Sequence, residues 1–384
     1  MSSTTSIRDE RAVPFFNNVV ADFAPGSAGS LFSIGVAHAV DSARYYVPAL
    51  NDLAPIRVLI PKPGSQVSSV MDELRGRSFG ILAVDRTELT AHAERLKPWL
   101  EGGDPSARVV LVDIGGYFAP ILESLHHDYG DRIIGVVEDT ENGIQQYEAL
   151  YKRLEAPLYP VVSVARSPLK NPEDHLVGVA VVFSVEACLR RHAGIAQGRT
   201  ACVVGYGKVG RGAAHALRDR CVATCVFETD PVRAIEAQSH GFVVPDTLAS
   251  AVQDATIVIS ATGSKAFDRD SLTHLADGAF LASVTSADSE FADSARAVFD
   301  GGRHLDGGVT LCTSARGEFY VLNRGNAVNF LDGGALGPFI YLVQSEIIAG
   351  VARLSAGLIP KGISELSSDD RQALAGIWRT HFTH

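Results

Sequence analysis

The chain has 384 residues, 46% hydrophobic and 20% charged, with 36 glycines spread along its length; this is an ordinary globular composition with nothing that argues for disorder. At roughly 150 residues per domain, the length suggests two domains. Thirty-four Lys and Arg against 44 Asp and Glu leave a formal charge of −10, so there is no basic surplus to neutralise a phosphate backbone, and nucleic acid is not an expected partner.

Met1 to Glu10 lacks a basic start followed by an apolar run, so no secretory signal is read there. Phe32 to Leu50 reads as a helix feeding a first α/β unit, in which the β-branched runs Arg108 to Val112 and Arg132 to Val137 are strands. Val177 to His192 reads as a connecting helix and hinge, ended by Gly194 and Gly198. Its apolar stretch, Val177 to Leu189, is interrupted by Glu186 and too short to cross a bilayer, so no membrane partner and a cytoplasmic location are expected. A second series of short apolar runs, Thr200 to Val204, Val222 to Phe227, Thr256 to Ser260 and Ala279 to Val284, alternates with helical patterns and predicts a parallel, doubly wound sheet. Pro338 to Leu354 reads as a long apolar helix packing back on the first domain. The five cysteines, Cys188, Cys202, Cys221, Cys225 and Cys312, form no CxxC pair; all are expected to be buried small hydrophobes, with no disulfide framework and no metal.

Gly205-Tyr206-Gly207-Lys208-Val209-Gly210 sits between a strand and a helical pattern, Arg211 to Arg218, and Glu228 closes the next strand about 20 residues on. In that order the first glycine makes the tight turn, the second lets the backbone approach a pyrophosphate, and the third lets helix and strand pack closely. The phosphates then lie at the positive end of the helix. Glu228 would accept hydrogen bonds from both ribose hydroxyls and repel a 2′-phosphate, so NAD is expected over NADP. Ser260-Ala261-Thr262-Gly263 adds a further contact at the carboxyl edge of the sheet. The expected fold class is α/β with two Rossmann-like doubly wound parallel-sheet domains, one binding NAD. The expected divisions are 1–177, 178–337 for the NAD domain, and a C-terminal helical segment, 338–384.

Ala201 to Arg218 is similar to the glycine-rich segment of S-adenosylhomocysteine hydrolases, and four further stretches follow in the family's order. Gly35-Val36-Ala37-His38 resembles GCLH, and Glu138 to Gly143 resembles EETTTG. Lys170 followed by Asp174-His175-Leu176-Val177-Gly178 resembles K-x-x-x-D-N-L-Y-G, and Val328-Asn329 resembles the VN of a late motif. The resemblance spans roughly residues 30 to 350 and implies a divergent member. Family enzymes use tightly held NAD to oxidise the 3′-hydroxyl of a nucleoside, which acidifies the 4′ hydrogen and lets the 5′ substituent leave; water then adds and the ketone is reduced again. The resemblance implies that Lys170 accepts the 3′-hydroxyl proton, that Asp174 and Asp139 bind sugar hydroxyls, and that His38 assists departure or activates water. His175, where the family has asparagine, would supply part of the acid-base chemistry. Thr140 and Asn142 would line the cofactor from residues 1–177, the substrate domain, and Asn329 would meet its nicotinamide end. Gly205, Gly207, Lys208, Val209, Gly210, Glu228, Thr262, Gly263 and Val284 complete the expected NAD contacts, and the family implies a homo-oligomer.

The departures have a direction. Val40 and Ser42 stand where the family has the threonine and glutamate used near adenine, and Ile114 replaces the second acid of DDGGD in Asp113-Ile114-Gly115-Gly116-Tyr117. Thr285-Ser286-Ala287-Asp288 and Ala335-Leu336-Gly337-Pro338 lack the family's histidines, and the chain ends Trp378 to His384 without the lysine-and-tyrosine tail. Groups for sugar oxidation survive while those for base recognition and hydration change. The expected activity is therefore elimination on a modified nucleoside without hydration, by a dehydratase or lyase. The alternatives are a true hydrolase, a silent NAD-binding regulator, and a dehydrogenase that releases reduced cofactor.

Overall fold

Unbroken apolar runs, such as Val109 to Val112 and Ala201 to Val204, carry no alternation because both of their faces are covered; they are interior strands of parallel sheets. They belong to a computed structural model that describes residues 9–24, 30–192, 194–305, 307–332, 334 and 336–383. The sequence readings at Met1 to Arg8, Ala335 and His384 lie outside the described residues. The chain divides into two units, Met1–Lys170 with Gly337–His384, and Asn171–Leu336. The expected boundary after residue 177 falls inside a continuous helix, Asn171–Arg191, and the division comes at that helix's start instead.

The first unit contains β1 (Leu31–Ala39), β2 (Ile56–Gln66), β3 (Gly80–Ile81), β4 (Arg108–Asp113), β5 (Ile133–Glu138) and β6 (Pro160–Ser163). The second contains β7 (Thr200–Val204), β8 (Ala223–Phe227), β9 (Ile257–Ser260), β10 (Ala279–Ser283), β11 (Arg303–His304), β12 (Val309–Ser314) and β13 (Gly317–Leu322). The chain then returns to the first unit to add β14 (Gly362–Ser364). The first sheet has the order β14-β6-β5-β4-β1-β2-β3 and is parallel throughout. The second, β11-β12-β13-β10-β9-β7-β8, is parallel from β13 to β8, but β11, β12 and β13 pair antiparallel, so the wholly parallel sheet expected there is corrected to a mixed one. In both sheets the strand order reverses beside the first strand, between β1 and β4 and between β7 and β9. Such reversals open crevices at the carboxyl ends of the strands, where ligands bind.

Two further expectations fail. Phe32 to Leu50 is β1, a turn, and the helix Ala43–Leu53, because β1 is buried along nearly its whole length and its apolar run has no period to separate it from a helix. Cys221 is exposed and Cys225 partly so, hence the cysteines are not uniformly buried; Cys221 holds a left-handed turn with φ +59° where helix passes to strand.

Helix Phe339–Ser355 packs an almost entirely buried surface into the first unit, yet carries Glu346, which is 0% exposed. Neither carboxyl oxygen meets a donor in hydrogen-bonding geometry among the described residues. Burial pushes this group up to about 7, only partly offset by Ser167 and by the charges of Arg371 and Lys170. Between pH 4.5 and about 7 the folded protein therefore holds a proton that the unfolded chain has released, so stability falls as pH rises through that window and levels off above it. A shift of this size corresponds to about 3 kcal/mol. Glu346→Gln should accordingly gain stability over the parent at pH 8 and show a flatter profile in urea melts between pH 5 and 8; equal slopes for the two proteins would refute the assignment. Among the described residues no helix is long and apolar enough to cross a membrane.

Candidate functional site

In the second unit, β7 ends at Val204 and the chain turns at Gly205, where φ is +95° and a Cβ would lie 2.7 Å from the carbonyl oxygen of Ala261. Only glycine suits both conditions. Gly207 is the N-cap of helix Lys208–Asp219, and a Cβ on Gly210 would run into the Gly205 carbonyl, so loop and helix touch. The first turn of that helix thus directs its N–H groups into the crevice between β7 and β9, an arrangement that favours phosphate.

Glu228, just beyond β8, accepts from the backbone N–H of Tyr206 at 2.7 Å and of Asp230 at 2.9 Å. Its carboxylate is thereby fastened to the glycine loop. Thr262 and Gly263 turn partly inward: the Thr262 hydroxyl and the Gly263 N–H donate to Glu290 at 3.0 and 2.6 Å, and Ser260 donates to it at 2.6 Å. Glu290 is fully buried and organises the ends of β9 and β10. Sequence reasoning missed it because it lies in a four-residue helical turn, Ala287–Glu290, just past Thr285 to Asp288, a stretch read only for the histidine it lacks. Val284, partly buried just past β10, donates its N–H to the Ser260 carbonyl. Asn329 is 5% exposed and its side-chain oxygen has no partner among the described residues, an open acceptor of the kind a carboxamide can satisfy. Together the glycine loop, Glu228 and Asn329 fit NAD.

The two helices that flank this loop lie backbone to backbone. A Cβ on Gly178 would meet the Val209 carbonyl and, at 2.5 Å, the Ala213 nitrogen, while one on Gly212 would lie 2.5 Å from the His175 carbonyl. Asp174, on the first helix and 8% exposed, faces Lys208 of the second at 3.5 Å. The neighbouring His175 is exposed and does not share that contact.

In the first unit, the crevice between β1 and β4 gathers His38, Asp139 and Lys170. Lys170 Nζ donates to Asp139 Oδ1 at 2.9 Å, and both side chains are nearly buried. His38 pairs its Nδ1 with the Ser65 hydroxyl at 2.6 Å. Burial first, then the charges of Lys62 and Lys170, hold its imidazole well below 6.5, so it is neutral at physiological pH. Thr140 caps helix Glu141–Arg153 by accepting from Gly143 N–H at 3.0 Å and donates its own hydroxyl to Glu138 at 2.7 Å; Asn142 lies in the first turn of the same helix.

Beneath these groups Glu138 also accepts from the N–H groups of Gly115 and Gly116, at 3.0 Å each, and Asp113 accepts from Tyr117, Phe118 and the Tyr147 hydroxyl. Burial pushes both carboxyls up, and the Asp113 charge adds to the effect on Glu138. Sequence reasoning quoted both acids within motifs without assigning them a role. It passed over Lys62 altogether, because Pro61-Lys62-Pro63-Gly64 reads as a surface turn.

A family model described as "S-adenosyl-L-homocysteine hydrolase, NAD binding domain" matches residues 181–300. The chain is 25% identical over 395 aligned positions to the adenosylhomocysteinase of Thermotoga maritima, covering 95% of this chain and 96% of that protein. It is 33% identical to that of Aeropyrum pernix over 176 positions, 46% of this chain and 42% of the relative. Among solved structures, phosphoglycerate oxidoreductase from Vibrio cholerae superposes with a TM-score of 0.48 at 13% identity, covering 85% of this chain and 99% of that one.

Proposed function

Because the chain is a divergent member of the S-adenosylhomocysteine hydrolase family, we propose that it eliminates the 5′ substituent of a modified nucleoside without hydrating the product. NAD supplies a reversible two-electron oxidation of the 3′ carbon. Lys170, once it has passed its own proton to Asp139, takes the 3′-hydroxyl proton, and Asp139 and Asp174 hold the sugar hydroxyls. The resulting ketone acidifies C4′–H. When that proton passes to neutral His38, the bond between C5′ and its substituent breaks, the substituent departs with the electron pair and takes up the proton, and a 4′,5′ double bond forms. Return of the two electrons to C3′ leaves the product smaller by one molecule of the protonated substituent, which is water when that substituent is hydroxyl. His38, held neutral, is suited to relay a proton near the leaving group.

The observation that carries this reading is the nearly buried Lys170 and Asp139 pair beside a neutral His38, retained where Ile114, Val40 and Ser42 depart from the family's pattern. A second reading, hydrolysis of S-adenosylhomocysteine, is favoured by the near full-length likeness to the Thermotoga maritima enzyme. The near-ultraviolet spectrum, recorded as adenosine, S-adenosylhomocysteine and other nucleosides are added singly and products are weighed by mass spectrometry, separates the two. A reduced-nicotinamide band with an unsaturated product is expected. Rapid release of adenosine and a thiol would establish the hydrolase instead, and absence of any reduction would remove both readings.

A further inference from the structure

Lys62 stands at the carboxyl end of β2, beside the His38 end of β1. Its ammonium occupies the space left by the missing side chain of Gly115: a Cβ there would lie 3.0 Å from Lys62 Nζ. Gly115 and Gly116 both have left-handed backbones, φ +102° and +69°, and the loop they form is clamped from a second side by Arg86, which donates to the Gly115 carbonyl at 3.2 Å. The loop's own N–H groups are taken by Glu138.

The nearby negative charge is committed elsewhere. Asp113 and Glu138 are fully buried, with their oxygens engaged by backbone, Thr140 and Tyr147, and Asp139 is paired with Lys170. Burial raises the proton affinity of both Asp113 and Glu138. Lys62 feels these acids only at a distance: burial lowers its proton affinity and the charges of Glu138, Asp113 and Asp139 offset that only in part, so an anion bound beside it would favour the ammonium form. The adjoining side chain at the start of the loop is Ile114, which offers no counter-charge. A cation held over a glycine turn in a ligand crevice, with its acid neighbours already engaged, is arranged for an anion.

We infer that Lys62, with Arg86 behind the Gly115-Gly116 turn, is the specificity determinant for a substrate whose 5′ substituent is anionic, a phosphate or a carboxylate. The inference rests on the elimination reading for which part of the substrate lies beside His38. The test uses the NAD-loaded protein and measures binding by calorimetry and cofactor reduction by absorbance in the same samples. Two matched pairs serve as probes: adenosine against adenosine 5′-monophosphate, and 5′-methylthioadenosine against its carboxymethylthio analogue. The anionic member of at least one pair should bind about tenfold to a hundredfold more tightly, as expected for a charge-assisted contact, and the pair that shows it identifies phosphate or carboxylate. Lys62→Met should shrink that preference by about tenfold or more, whereas Lys62→Arg keeps most of it. Equal or weaker binding of both anionic probes, or a preference untouched by Lys62→Met, overturns the inference even if cofactor reduction together with an unsaturated product upholds the elimination reading. Lys62-dependent anion binding without reduction supports the subsite and overturns the elimination reading.

Discussion

Lys170→Met is expected to slow formation of the reduced-nicotinamide band by about a thousandfold, within the range over which a positioned proton-transfer group acts. The amine lies 2.9 Å from Asp139 and both residues are less than a tenth exposed, so the substitution also weakens a buried ion pair, which alone can cost about 3–5 kcal/mol. Stability and chemistry must therefore be separated. In a Lys170→Met, Asp139→Asn double variant, a neutral pair replaces the half-broken ionic one, so most of the lost stability should return while the rate of cofactor reduction stays low. Single-turnover absorbance and urea melts on the same three proteins read the two quantities independently. If the rate recovers along with stability, Lys170 is a structural residue and the proton-acceptor role is wrong.

The other large effect concerns the glycine contact between helices Asn171–Arg191 and Lys208–Asp219. A Gly178 side chain would collide with backbone at Val209 and Ala213, and backbone cannot swing aside as the tip of a flexible side chain can. Gly178→Val should lower stability by about 3 kcal/mol or more, the upper end for overpacking. It should also weaken NAD binding, since helix Lys208–Asp219 would have to shift and its first turn belongs to the glycine loop. Leu176, two residues before Gly178 but only partly buried, is a control: Leu176→Ala should change both quantities far less. Thermal unfolding with and without added NAD distinguishes the effects, and a Gly178→Val protein as stable as its parent would show that the close approach is not maintained in solution.

What could be read in advance was whatever a local rule encodes. The glycine loop is legible because turn, approach and packing each demand glycine at a fixed place, and the strands of the second unit from β7 to β10 because short apolar runs alternate with amphipathic stretches. The antiparallel addition of β11 to β13 escaped, since β12 and β13 meet through the short connection Ala315-Arg316, which carries no strong turn dipeptide. Phe32 to Leu50 was misassigned because burial on both faces erases the period that identifies a strand. Lys62, Glu290 and Glu346 were invisible for a different reason: each takes its character from groups distant in the chain. Glu346 is a single acid in an apolar helix, and nothing in its neighbours in sequence announces that its surroundings will raise its proton affinity.

The late return of the chain to complete the first sheet bears on how the protein emerges from the ribosome. Phe15 and Phe16 near the start meet Tyr341 and Phe382 near the end edge-on or tilted, at centroid separations of 5.0 to 6.4 Å among these rings, and β14 closes one edge of a sheet whose other six strands end by residue 163. Synthesis at roughly 5–20 residues per second would leave that aromatic face and the β6 edge exposed for on the order of ten seconds, while Asn171–Leu336 is made and can already fold. During that interval a nascent chain presents unpaired strand edge and apolar surface, so demand for chaperones should concentrate on the amino-terminal segment even though it leaves the exit tunnel first.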